Sequence, residues 1–268
     1  MSSDLWKHFL LDADLERLFW TSKPPGTMPH DDFWDLVSKH VDVYRGYPVS
    51  TTASSLVLDN GKEVPTDILL AGTGWDSTIH FLSPEQKRHL GIPHHSEEDI
   101  QKDRMAWQTL TDEANKQITN EYPILARPIL GNDITPARLY QGVAPLADSS
   151  LVFLGKVRLP NGFFGAEAQA IWTTAYWDGH VNIPPPEEAR RKVAYMNTFS
   201  RRRYPLSRGD GLNFHKDLIW YIDALLSDVG LSSHRKGWWV DSDEPFLLND
   251  LRDCRDEYLA KYNAKAVE

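Results

Sequence analysis

Hydrophobic and polar positions alternate with two different periods along this chain. Leu11, Leu15, Leu18 and Phe19 fall at helical spacing within Leu5 to Trp20. Lys23-Pro24-Pro25-Gly26 then stops the helix. Asp31 and Asp32 stand where they can cap a short helix through Phe33, Leu36 and Val37. From Val41 the period shortens: Val41-Asp42-Val43-Tyr44 alternates as a strand, and Leu56 to Val64 reads as a hairpin turning at Asn60-Gly61. Ile68 to Ala71 is an apolar run too short for a helix, bounded by Asp67 and by Gly72 and Gly74. It predicts a buried strand entering a turn where missing side chains let backbone approach a ligand.

The second half is more helical. Ser96-Glu97-Glu98-Asp99 predicts a capped helix start, with carboxylates on the positive end of the dipole. Behind it Ile100, Trp107, Leu110, Ala114 and Ile118 form one apolar stripe that ends before Pro123. Leu151 to Gly155 predicts a second buried strand, and Pro160-Asn161-Gly162 a turn. A small-residue helix follows from Gly165 to Asp178, closed by Gly179. Gln169, Trp172 and Tyr176 share one face of it. Pro184-Pro185-Pro186 precedes a charged helix from Glu187 to Arg203, whose arginine end complements the dipole. Leu218, Ile222, Leu225, Leu226 and Val229 mark a core helix ended by Gly230, and Glu244 to Tyr262 a last amphipathic one. These elements make an α/β (α+β) chain. The expectation is a single domain over 1–268, with a β-rich core at about 41–75 and 138–155.

Composition narrows the partners. A net charge of −9 argues against nucleic acid and against an anionic membrane surface. No apolar run reaches spanning length, so no membrane span is expected. The single cysteine, Cys254, excludes an internal disulfide and fits a reducing, cytoplasmic setting. His94-His95 lacks matched carboxylate or thiol ligands nearby and reads as loop histidines, so no metal is expected. Ten Trp, ten Tyr and ten Phe are compatible with a pocket walled by aromatics.

Several short motifs resemble one family when taken in order. Asp59-Asn60-Gly61, Asp67 and Ala71-Gly72-Thr73-Gly74-Trp75 resemble the segment that closes the flavin domain of flavin-containing monooxygenases and their Baeyer–Villiger relatives, with one glycine inserted between the usual Ala and Thr. Arg138-Leu139-Tyr140-Gln141-Gly142 with Pro145, then Leu151 to Gly155, then Phe163-Phe164 and Glu167-Ala168-Gln169-Ala170-Ile171-Trp172 resemble that family's closing half. The resemblance implies a truncated remnant of a flavin-monooxygenase fold, a small sheet packed with several helices. The family's Gly-x-Gly-x-x-Gly loops, which place a helix N-terminus against pyrophosphate, have no counterpart in the chain.

No nucleophile elbow or paired-cysteine motif is present, which leaves three functional readings. The first is a cofactor-independent enzyme of fungal secondary metabolism, needing neither FAD nor NADPH. It would hold a small apolar, polyunsaturated metabolite and promote an intramolecular cyclisation of Diels–Alderase type, or an isomerisation. Gln169 and Tyr140 would act as donors and Glu167 as acid or base, with Trp75, Phe163, Phe164, Trp172 and Tyr176 as walls. The second is a flavin-monooxygenase half that needs a partner chain for FAD and NADPH. The third is a non-catalytic ligand-binding protein. Assembly as a homodimer stays open.

Overall fold

The structure is a computed structural model describing residues 32–44, 46–70, 79–126, 133–181, 183–205, 209–233, 235–236, 240, 244 and 248–263. The helix expected over Leu5 to Trp20, and the Ala71 to Trp75 motif with Trp75 itself, lie outside these residues. The described part is mixed α/β, with small antiparallel sheets and a majority of helix. It falls into two compact units, residues 32–70 in one and 79–263 in the other.

The first unit contains α1 (Phe33–His40) and a three-stranded antiparallel sheet, β1 (Pro48–Thr51), β2 (Ser55–Leu58) and β3 (Glu63–Pro65). Asp32 takes the N-cap position of α1. The Asn-Gly signal marks the β2–β3 connection, where Leu58 N–H donates to the Lys62 carbonyl at 2.9 Å and Gly61 adopts φ 78°. Two expectations fail in this unit. Val41 to Tyr44 forms no strand and stays exposed, because its alternating residues find no ladder partner, and the pairing begins at Pro48 instead. Ile68, Leu69 and Leu70 are not a buried strand either: they are 79%, 57% and 88% exposed. β3 ends at Pro65, and one further bond, from Thr66 N–H to the Ser54 carbonyl at 2.9 Å, closes the ladder before Ile68.

The second unit is built on helix pairs. Ser83 opens α2 (Pro84–Leu90) with a reciprocal capping box to Gln86, and Gly91 closes it with φ 69°. A Cβ on Gly91 would come within 2.7 Å of the Arg138 Cβ, and Arg138 N–H donates to the Gly91 carbonyl at 2.8 Å. That close approach fixes where Arg138 starts. α3 (Glu97–Glu121) begins at Ser96, whose hydroxyl accepts from the Asp99 N–H at 3.2 Å, and buries Ile100, Trp107, Ala114 and Ile118 as its stripe requires. It packs against α5 (Pro186–Arg203).

Between them run β4 (Leu139–Tyr140) and β5 (Ala144–Pro145), a two-stranded ladder. Leu151 to Gly155 is not a strand. It is a half-buried irregular segment tied back by Phe153 N–H to the Val143 carbonyl at 2.9 Å, and Leu154 is 49% exposed. A ladder only two residues long leaves no edge for it to extend.

Asn161 caps α4 (Gly162–Trp177) through its side chain, which accepts from Phe163 N–H at 3.0 Å. Gly179 at φ 75° ends that helix. α4 lies against α6 (Leu218–Val229), and α7 (Cys254–Asn263) touches α4. Trp172, Tyr221, Phe214, Ile222, Leu225 and Leu226 form the fully buried centre of this unit. Among the described residues no helix is long and apolar enough to cross a membrane.

Candidate functional site

The β4–β5 connection is the pivot of the site. Gln141 takes φ 52° and Gly142 φ 69°, so a non-glycine residue is held in the left-handed region. Such a conformation persists only where neighbours impose it. Tyr221 Oη donates to the Gln141 carbonyl at 2.9 Å, and Gln141 Nε2 donates to Asp228 Oδ2 at 2.7 Å. The same carboxylate oxygen accepts the Trp172 Nε1–H at 3.1 Å. Gln169 completes the chain, its Nε2 donating to Tyr221 Oη at 2.7 Å and its Oε1 accepting from Gly155 N–H at 2.9 Å. One polar network, buried at Gln169, Trp172 and Tyr221 and less so elsewhere, thereby joins Gln141, Gly155, Gln169 and Trp172, all motif residues, to Tyr221 and Asp228 on α6.

Of the side chains singled out as donors and walls, the structure brings four together: Tyr140, Gln169, Trp172 and Tyr176. Trp172 is fully buried, stacked on Tyr176 with centroids 5.2 Å apart and tilted against Tyr140 at 6.2 Å. Burial, then the carboxylates Asp228 and Glu188, push the Tyr140 phenol far above its ordinary value, so it remains a donor. Burial also raises Tyr176. Phe164 is half-buried against the core, while Phe163 is 80% exposed and Glu167 is on the exposed side of α4. Phe163, Phe164, Glu167 and Trp172 line neither of the cavities described below.

A cleft of about 730 Å³ opens beside Tyr140 and Tyr176, and none of the network's own residues lines it. Tyr140 and Tyr176 contribute to its wall, with Leu146, Ile183, Trp107 and Arg138 among the others. Arg138 makes a two-pronged pair with Asp103, Nε to Oδ1 at 2.9 Å and a terminal nitrogen to Oδ2 at 2.7 Å. Its guanidinium sits 4.1 Å from the Trp107 ring centroid, and that of Arg190 sits 4.5 Å from it. At the α3 end of the cleft, buried His94 meets Asp99 at 2.9 Å, and Arg88 adds a 3.0 Å contact to the other carboxylate oxygen. The hydrogen bond from His94, offset by burial and aided by Arg88, holds the Asp99 carboxyl below its usual range.

A smaller cavity of about 270 Å³ lies at the start of α4, bordered by Gly155, Gly162, Gly165, Gln169, Asn213 and His215 among others. His215 Nε2 is buried without a partner, and burial followed by Lys216 lowers its pKa. Arg158, the one arginine or lysine bordering this cavity among the described residues, is committed to Asp210 through contacts of 2.7 and 2.6 Å. Sequence reasoning missed Asp228, Tyr221, Arg190 and His215 as site residues. They stand in plain helical or loop contexts, with no local pattern to mark them. Trp107 was visible, but only as one residue of an apolar stripe.

With this arrangement in hand, the class is clear: the chain resembles the FAD-dependent monooxygenases of fungi. It is 30% identical to such an enzyme of Pyrenophora dematioidea over 83% of this chain and 42% of that protein. An FAD-dependent monooxygenase of Aspergillus nomiae NRRL is 29% identical over 95% of this chain and 46% of its own length. One of Aspergillus sclerotiorum is 28% identical over 94% and 46%. The chain therefore spans about half the length of these relatives. No protein-family model matches it, and no solved structure matches it.

Proposed function

We propose that this chain is the metabolite-holding part of a flavin-monooxygenase-type protein, with the cleft walled by Tyr140, Tyr176 and Trp107 as the place where the small molecule lies. The observation that supports this most directly is the extent of the relationship, which runs over 95% of the chain to a protein named as an FAD-dependent monooxygenase. The cleft's volume of about 730 Å³ lies within the roughly 300–1,000 Å³ usual for small-molecule sites.

Residues present here do not fit a whole FAD. The 268 residues contain no Gly-x-Gly-x-x-Gly, and Arg158, the cation beside the glycine-lined cavity, is already paired with Asp210. A pyrophosphate cradle would have to come from sequence outside these residues. What this chain's own groups can do is bind, orient and exclude water, with Tyr140 as a protonated donor at the cleft wall.

The missing glycine loops favour a second reading, a cofactor-independent cyclisation of an apolar, polyunsaturated metabolite in the same cleft, driven by positioning. One experiment separates the two. The purified chain is incubated with a polyene substrate, with and without NADPH, and its visible spectrum is recorded. On the first reading the chain alone is colourless, turns over nothing without NADPH, and gains activity only when a polypeptide carrying the glycine loops is added. Cyclised product formed by colourless protein without NADPH would establish the second. Yellow protein consuming NADPH unaided would show that the loops are dispensable.

A further inference from the structure

The large cleft carries a charge pattern opposite to that of the chain. Net charge overall is −9, yet five lysines and arginines line the cleft against three aspartates. Most of these cations are already matched: Arg138 with Asp103, Arg88 with Asp99, and Lys102 with Glu98 on the same helix. Arg190 is different. It meets no carboxylate among the described residues. One of its terminal nitrogens donates to the Ala106 carbonyl at 3.2 Å, its plane lies over Trp107, and its Nε is buried with no acceptor. With its Nε closed off from solvent, the edge that can meet an acceptor arriving with a ligand is that of its terminal nitrogens, one of which is held only by the Ala106 carbonyl. The same cleft is also lined by apolar and aromatic side chains, among them Leu146, Ile183, Tyr140 and Tyr176.

We infer that the cleft selects a small molecule with an acidic headgroup on an apolar body, the headgroup being received by Arg190 on its Trp107 platform. This rests on the reading of the cleft as a metabolite site and adds the chemical class of what enters it. A guanidinium stacked on an indole keeps its edge free for hydrogen bonds, so it suits a carboxylate or a phosphate monoester better than a neutral polar group. Trp107 itself is buried on α3 and has the Arg138 guanidinium, fixed by Asp103, over its ring at 4.1 Å, so the platform is set before binding.

The test measures calorimetric binding of decanoate, decyl phosphate and decanol, probes with one tail and three heads. The intact chain is compared with Arg190→Gln, Arg190→Lys and Arg191→Gln; Arg191 is 61% exposed and lies outside this cleft, which makes it the control. The inference expects at least one anionic probe to bind about tenfold or more tighter than decanol. Arg190→Gln should erase that preference, Arg190→Lys should keep part of it, and Arg191→Gln should leave it intact. Which anion wins distinguishes carboxylate from phosphate. Raising salt from about 50 to about 500 mM should weaken the anionic probe and spare decanol, a readout that needs no variant. Decanol binding as tightly as both anions, with no response to Arg190→Gln or salt, would overturn the acidic-ligand inference and leave the cleft as a metabolite site. Absence of binding by all three probes would overturn both.

Discussion

Gln169 commits both ends of its amide inside the protein, to Gly155 and to Tyr221, and is only 1% exposed. Its first duty is therefore to hold the β4–β5 turn in register with α4 and α6. Gln169→Ala should lower unfolding stability by about 1–3 kcal/mol, because it removes two hydrogen bonds, leaves the Tyr221 hydroxyl with the Gln141 carbonyl alone, and opens space in the core. Urea denaturation checks this, and an unchanged midpoint would mean that the network is not a structural unit. Trp172→Ala removes the largest fully buried side chain together with a donor to Asp228, and should cost about 3–5 kcal/mol. Any loss of turnover in that variant would then be read through the fold before it is read as chemistry. Glu167 is the opposite case. On the exposed side of α4, Glu167→Gln should leave both stability and turnover unchanged. A hundredfold or greater loss of rate with circular dichroism intact would return it to the role of acid or base.

At the scale of elements, local signals were read well wherever the cause of an element is local. Ser96 and the stripe behind it marked α3, Gly179 and Gly230 marked the ends of α4 and α6, and Asn60-Gly61 marked the hairpin. Strands were read poorly, because alternation says only that a strand could pair. Val41 to Tyr44 and Leu151 to Gly155 have the right residues and no partner edge, a fact that depends on the rest of the chain. The cleft was half legible. Tyr140 stood in a motif and Tyr176 on the helix face shared with Gln169 and Trp172, but the Arg138–Asp103 pair is 35 residues apart in sequence and Arg190 lies further on. The start of α3 offers a pH test. The Asp99 carboxyl is depressed in the folded state, first by its hydrogen bond from His94, so its contribution is present above the unfolded carboxyl value near about 4. It is lost as pH falls through the lower, folded value. Asp99→Asn should therefore lower stability at neutral pH and flatten the acid limb of stability against pH. Parallel curves for the two proteins, measured by urea midpoints at successive pH values, would contradict this.

For the molecule as a whole, the two units differ sharply in how much they bury. In the first, Leu58 is the one described residue that is fully buried, and every position of β1 is exposed. In the second, Tyr221, Ile222, Leu225 and Leu226 on α6 alone are buried to within 1%. A three-stranded sheet stands by itself only when a hydrophobic face is covered, since backbone hydrogen bonds open to water add little net stability. Opening of β1–β3 should therefore cost far less than global unfolding, whereas α6 should exchange its amide hydrogens only when the whole second unit unfolds. Hydrogen exchange followed by mass spectrometry reads this directly. Peptides covering 48–65 should exchange within seconds to minutes, and those covering 218–229 orders of magnitude more slowly. Equal protection in the two regions would mean that something covers the sheet of the first unit. Adding the polypeptide with the glycine loops would test that cover: slowed exchange over 48–65, with 218–229 unchanged, would place the missing surface against the first unit, and no change in either would remove that unit from the assembly.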